Sequence, residues 1–178
     1  MSKPKIALIY YSATGTGEQL IKAAARGAES AGAEVRIRLV EETAPQAAVE
    51  SRDDWKAFVE AHKDEPKATP DDMDWADGVI FSSPTRFGNV ASQFKAYLDS
   101  LGGLWFNGKL ANKVYAGMTS AQNPHGGQES TLLALYNTIH HFGGYIVSPG
   151  YTDPLIFEAG GNPYGASATA NGEPVSES

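Results

Sequence analysis

Ser12-Ala13-Thr14-Gly15-Thr16-Gly17 puts three hydroxyl side chains and two glycines into six consecutive residues, a composition suited to phosphate oxygens. Hydroxyls donate hydrogen bonds to such oxygens, and glycines let the backbone turn and come close. The flanks say where this loop sits. Ile6 to Tyr10 is continuously apolar, as in a strand buried on both faces, and Glu18 to Ala31 carries the helix formers Leu20, Ile21 and Ala23 to Ala25. A loop between a strand's carboxyl end and a helix's amino end offers unpaired N–H groups and a positive dipole, so it can hold an anion without any cationic side chain. Two other phosphate loops fit poorly. Gly17 is followed by Glu18-Gln19 rather than Lys-Ser/Thr, and Leu20 stands where a dinucleotide fingerprint has its third glycine. A monophosphate loop and a hydroxyl-rich helix cap without ligand both remain.

Two further stretches carry polar groups in the same manner: Pro84-Thr85-Arg86-Phe87-Gly88-Asn89, and Ser120-Ala121-Gln122-Asn123-Pro124-His125-Gly126-Gly127. Each follows an apolar run and precedes a helical pattern. Arg86 is either a positive charge for a ligand or a surface ion-pair partner. His140 and His141 close a helix, where imidazolium suits the dipole, but adjacent helical residues point about 100° apart and chelate a metal poorly. No metal is expected. His62 and His125 read as solvated, and nothing motivates a nucleophile or a carboxylate pair.

These loops need a scaffold that brings them together. The chain predicts strands at Ile6 to Tyr10, Glu34 to Val40, Gly78 to Ser83, Lys113 to Thr119 and Tyr145 to Val147. Helices are predicted at Gly17 to Ser30, Gln46 to Lys63, Val90 to Leu101 and Gln128 to Phe142, with a linker on to Asp74 and an irregular aromatic segment from Leu104 to Gly108. Helices between strands imply crossovers and therefore a parallel sheet with both faces covered. In the order 2-1-3-4-5 the loops after strands one, three and four converge on one crevice at the strands' carboxyl ends. The expected fold is an α/β three-layer sandwich with a five-stranded parallel sheet, one domain over residues 1–178.

Composition narrows the partners. The chain has 178 residues, 42% of them hydrophobic, and 14 Lys+Arg against 21 Asp+Glu give a net charge of −7. That balance, without a basic cluster, argues against nucleic acid and anionic membranes. Cysteine is absent, which removes disulfides and thiolate chemistry. No apolar run reaches the roughly 18 residues of a membrane span, and Met1-Ser2-Lys3-Pro4 leads straight into a strand rather than a signal peptide. The cytoplasm is the expected compartment.

Taken together, Tyr-Tyr-Ser-Ala-Thr-Gly-Thr-Gly from Tyr10, Ser-Pro-Thr-Arg-Phe-Gly-Asn from Ser83, Gly102-Gly103-Leu104-Trp105, Gly126-Gly127-Gln128-Glu129 and Asn162-Pro163-Tyr164-Gly165-Ala166 resemble the WrbA family of flavodoxin-like NAD(P)H:quinone oxidoreductases. The resemblance covers nearly the whole chain. It implies non-covalent FMN, NADH or NADPH as electron donor, two-electron reduction of quinones in ping-pong order, and a homotetramer whose sites are built partly from neighbouring subunits. Carried over, Ser12, Ala13, Thr14, Gly15, Thr16 and Gly17 would hold the FMN phosphate. Pro84, Thr85, Arg86 and Phe87 would follow the ribityl chain and a ring edge, with Arg86 placing positive charge by the flavin. Ser120, Ala121, Gln122, Asn123, Gly126 and Gly127 would meet the pyrimidine end, although Ala121 to His125 departs from the family's Thr/Gly-rich form. His141 would belong to the active site. Trp105 and Tyr151 resemble aromatics lining the stacking pocket, possessed of equal sense, for Trp105, as core packing. The competing functions are a one-electron flavodoxin-type carrier, against which the insertion around Trp105 argues, and a non-catalytic flavin-binding regulator.

The carboxyl end carries a last expectation. After Tyr151 comes Thr152 to Phe157 and then a Gly/Pro/Ser/Ala-rich stretch without helical period, where the family continues into another helix. The expectation is that the chain is cut short or that another subunit covers the gap, with apolar residues of strands three to five exposed in the isolated chain.

Overall fold

The computed structural model describes residues 2–170. In chain order it contains β1 (Lys5–Tyr10), α1 (Thr16–Ser30), β2 (Glu34–Leu39), α2 (Gln46–Val49), α3 (Asp53–Ala61), α4 (Pro70–Trp75), β3 (Gly78–Arg86), β4 (Asn89–Val90), α5 (Ser92–Ser100), α6 (Gly102–Phe106), β5 (Val114–Ala121), α7 (Gln128–Phe142), β6 (Tyr145–Ile146), α8 (Leu155–Glu158) and β7 (Ala166–Thr169). The sheet runs β2-β1-β3-β5-β6, and its neighbours pair in parallel. This is the expected order, with β5 and β6 as the fourth and fifth strands.

The fifth position is split. β6 pairs with Val114 and Tyr115, whereas β7 pairs in parallel with Met118 to Ala121 further along the same strand. The stretch expected to lack structure therefore contains a short helix and a strand. Gly165 explains why the return is so close: a Cβ there would lie 2.2 Å from the Gly117 carbonyl oxygen.

Strand alternation divides the core. Ala7, Ile9, Tyr11, Val79, Phe81 and Tyr115 face α5 and α7, and Leu8 and Tyr10 face α1 and α3 with Ile21, Leu39 and Phe58. Phe94, Tyr97, Leu98 and Leu101 form the buried stripe their spacing predicts. The α1 face is open on one side. An apolar groove of about 410 Å³ runs between α1 and strands β3 and β5, lined among others by Ile6, Ala24, Ala28, Ile80, Ala116 and Val147.

Local chemistry accounts for the remaining departures from the expected elements. Instead of one helix and a linker, residues 46–75 form α2, α3 and α4. Pro70 opens α4 at a position that needs no N–H, and Thr69 N and Oγ1 donate to Asp72 Oδ2 at 3.1 and 3.0 Å. Gly102 and Gly103 do not end the helical region; they begin α6, which carries Leu104, Trp105 and Phe106. Among the described residues, no helix is long and apolar enough to cross a membrane.

Candidate functional site

Three loops leave the carboxyl ends of adjacent strands: 12–17 after β1, the β3–β4 connection, and 122–127 after β5. They are locked to one another below the crevice. Tyr11 N donates to Ser82 O at 3.0 Å, and Thr119 Oγ1 to Ser83 O at 2.8 Å. Ala91 N donates to Ser83 Oγ at 3.0 Å, which ties the approach to α5 to the end of β3.

The first loop has the form of an anion cradle. Gly15 takes a left-handed conformation (φ 99°) as the N-cap of α1, and no side chain caps that helix end. Ser12 Oγ accepts from Gly15 N–H at 2.9 Å, so its own proton stays available to a ligand. At Gly17 a Cβ would stand 2.9 Å from the Tyr11 carbonyl oxygen. Ser12, Ala13 and Gly17 are buried, whereas Thr14 is exposed at the mouth. Ser82 Oγ, buried and without a hydrogen-bond partner among the described residues, lies opposite Tyr10 at the foot of this loop.

The second loop is a hairpin rather than the open loop its sequence predicts. β3 continues through Pro84, Thr85 and Arg86, and β4 folds back with Arg86 opposite Asn89. The two turn residues, Phe87 and Gly88, have φ of 53° and 77°, the backbone of a type I′ turn that ordinarily takes Asn-Gly. A bulky residue at positive φ is strained, and the Phe87 ring is fully exposed. Arg86 is exposed too and, among the described residues, donates to its neighbour Thr85 O at 2.9 Å.

In the third region Ser120 and Ala121 are the buried end of β5, while Gln122 and Asn123 are exposed. A Cβ on Gly126 would meet the Ala121 side chain at 2.8 Å, and one on Gly127 would meet Gly88 Cα at 3.1 Å. The second and third loops thus touch through glycine. Thr131, which sequence reasoning passed over, reinforces this by donating to Thr85 Oγ1 at 2.8 Å; its position one turn into α7 was the only signal.

His141 and Trp105 lie away from the three loops of their own chain. α7 starts at the crevice and runs back, so the 13 residues from Gln128 to His141 put the histidine roughly 20 Å away along the helix. Trp105 joins it there, its indole N–H donating to His141 O at 2.8 Å. Trp105 is half exposed, so it is not core packing. Tyr151 lies on the excursion between β6 and β7, exposed and stacked on Phe157 with centroids 5.2 Å apart.

His62 also departs from expectation, being mostly buried rather than solvated. Its ring stacks on Phe58 at 3.9 Å, Nδ1 lies 2.7 Å from Phe58 O, and Nε2 lies 3.1 Å from Glu18 Oε1. Glu18, His62 and Glu65 bring ligand-type atoms within 4.8 Å of one another. Lys22 and the Tyr10 hydroxyl are already bonded to those carboxylates, so the grouping reads as an ion-pair network joining α1 to α3.

A parallel sheet with helices on both faces, an anion cradle after β1 and two more loops closing one crevice defines a flavodoxin-like α/β protein. The NADPH-dependent FMN reductase family matches residues 4–152. The chain belongs to that family, which makes it an oxidoreductase. A NAD(P)H dehydrogenase (quinone) of Deinococcus radiodurans is 57% identical over 173 residues, covering 97% of this chain and 86% of the relative. One from Rhizobium rhizogenes is 40% identical over 176 residues, covering 95% and 84%. Among solved structures, a flavodoxin, WrbA-like protein from Agrobacterium tumefaciens matches with a TM-score of 0.61 at 27% identity, covering 85% of this chain and 82% of that one. Two-electron reduced Megasphaera elsdenii flavodoxin, at 14% identity and a TM-score of 0.58 over 92% of this chain and 85% of that one, shares the fold.

Proposed function

We propose that the chain is an FMN-dependent NAD(P)H:quinone oxidoreductase of the WrbA type, acting in ping-pong order, with FMN in the three-loop crevice. The observation that carries this is the cradle after β1: an uncapped helix N-terminus, left-handed Gly15, and Gly17 too close to the Tyr11 carbonyl for any side chain. Such a cradle takes one terminal phosphate. The family match and the quinone dehydrogenase relatives supply the direction of the chemistry. Bound FMN would supply two-electron transfer between a nicotinamide and a quinone.

The chain's own residues bind and orient. Ser12, Thr14 and Thr16 donate hydroxyls, and the N–H groups of Thr16 and Gly17 complete the anion site, the Gly15 N–H being taken by Ser12 Oγ. Pro84 to Phe87 form one wall, and Ser120 to Asn123 with Gly126 and Gly127 form the other. Arg86 brings a positive charge to the ring end of the crevice, where it favours negative charge on a bound ligand. His141 and Trp105 cannot serve the crevice of their own chain, so in this reading they, with Tyr151, complete the site of a neighbouring copy in a homotetramer. The assay is direct. The purified protein should release FMN rather than FAD on denaturation and oxidise NADH or NADPH with benzoquinone. FAD as the main pigment would sink the cradle reading, and FMN without turnover would point to a flavin-binding regulator.

Phe87 supplies a second test. The strain at a positive-φ phenylalanine is retained although the ring buries nothing within the chain, a pattern associated with function. Phe87→Asn should raise stability by about 0.5–1 kcal/mol through relief of the turn and lower turnover. Thermal denaturation and steady-state rates on one preparation check both halves; a more stable variant with full activity would make Phe87 a mere turn residue.

A further inference from the structure

We propose that Glu42 is a positioning residue of the flavin site, a clamp that sets the phosphate loop against the helix entered from the ring loop. It rests on the flavin reading given above.

Glu42 lies just beyond β2, in an irregular segment. Its carboxylate nevertheless accepts four hydrogen bonds. Oε2 takes the Tyr11 hydroxyl at 2.7 Å and the Trp55 indole N–H at 2.9 Å, and Oε1 takes the Gln93 amide at 2.6 Å and the Ala44 backbone N–H at 2.8 Å. The donors come from the end of β1, from α3, from α5 and from the turn of Glu42 itself. Tyr11 is buried and directly precedes Ser12; Gln93 is buried and sits in the first turn of α5, just after the hairpin bearing Arg86 and Phe87. One carboxylate therefore spans from the cradle to the helix that anchors the opposite wall.

The arrangement requires the ionised carboxylate. It is the side chain that can accept at both oxygens without donating at either, whereas an amide would turn an NH₂ toward two of the four donors. Burial, which alone would raise the Glu42 pKa, is outweighed by the bonds from Tyr11, Ala44, Gln93 and Trp55, so the group is held below the ordinary carboxylate range. Burial, and then Glu42, push the Tyr11 phenol up, and the Arg86 charge acts on that phenol in the opposite sense. Tyr11 is thus electrostatically linked both to Glu42 and to the wall that bears Arg86.

The test uses the holoenzyme, with FMN affinity, the flavin midpoint potential and benzoquinone kinetics measured on wild type and Glu42→Gln. Removing two of four charge-assisted bonds should weaken FMN binding about tenfold and move the potential upward as a negative charge is lost. The benzoquinone KM of the FMN-loaded variant should stay within about twofold of wild type. Tyr11→Phe added to Glu42→Gln should cost less than the sum of the two changes. A variant with a lowered melting temperature but wild-type FMN affinity and potential would overturn the clamp while leaving the flavin reading intact. No FMN binding by the wild type would overturn both. Should Glu42→Gln fail to fold, Gln93→Met releases only the α5 arm, and unchanged FMN affinity in that variant overturns the clamp equally.

Discussion

Gly17→Ala is expected to weaken FMN binding by about a hundredfold, while Gly27→Ala in the same helix makes the protein more stable. The two substitutions add the same methyl group to α1, and helix propensity alone favours both by roughly 0.5–1 kcal/mol. Their surroundings differ. A Cβ at Gly27 meets nothing within 4 Å, whereas at Gly17 it would lie 2.9 Å from the Tyr11 carbonyl oxygen and 3.3 Å from Ser12 Cβ. Neither contact is with the end of a flexible chain, so α1 must move away from the loop. That motion spreads the N–H groups meant to converge on one phosphate, and the loss falls on the ligand more than on the fold. Fluorescence titration of FMN onto apoprotein measures the first effect, and thermal melting measures both. Equal FMN affinity in the two variants would show that the cradle is not the phosphate site.

The same loop shows why part of this molecule can be read from its sequence. Gly15, Gly17, Gly127 and Gly143 punctuate helices through rules that involve only neighbouring residues, and α7 accordingly runs from Gln128 to Phe142 as predicted, between two left-handed glycines. The strand order followed from continuous apolar runs and from crossover geometry. What escaped depended on partners distant in sequence or on local signals read the wrong way. The linker expected up to Asp74 contains Thr69-Pro70-Asp71-Asp72, which is a helix start. Ala166–Thr169 has no apolar period and becomes a strand by pairing with Met118 to Ala121, nearly fifty residues earlier. Phe87-Gly88 lacks the Asn-Gly signature of its turn. In the site, the cradle was legible because one short segment holds its chemistry. Glu42 was not, because its side-chain donors lie 13, 31 and 51 residues away, and the distance of His141 from its own crevice was not legible either, because helix direction, not residue type, decides which end of the sheet it reaches.

Phe81→Ala should cost about 3–5 kcal/mol of stability, the largest effect expected of any substitution outside the crevice. Phe81 is wholly buried and stands where β3, β5 and α5 meet. Its ring meets Phe94 edge-on at 5.5 Å and lies over Tyr115 at 5.9 Å, so truncation removes both the transfer energy of the ring and two aromatic contacts worth roughly 0.5–1.5 kcal/mol each. The backbone on either side is held by the sheet register Ile9 to Phe81 to Gly117, which limits collapse into the space left behind and keeps the cost near the upper end. Phe106→Ala provides the contrast, since that ring is 83% exposed and its loss should change stability by no more than about 0.5 kcal/mol. For a chain of this size the difference corresponds to a melting-temperature gap on the order of 10 °C. Because Phe81 directly precedes Ser82, Ser83 and Pro84, the loss should extend to the crevice: Ser83 holds Ala91 N through its hydroxyl and Thr119 Oγ1 through its carbonyl, and both depend on β3 keeping its height in the sheet. FMN should therefore restore part of the lost stability, by an amount that grows with the logarithm of its concentration above Kd, through the linkage of ligand to the folded state. Melting temperatures of Phe81→Ala and Phe106→Ala across an FMN series measure this, and two variants of equal stability would place the centre of the core somewhere other than the Phe81, Phe94 and Tyr115 cluster.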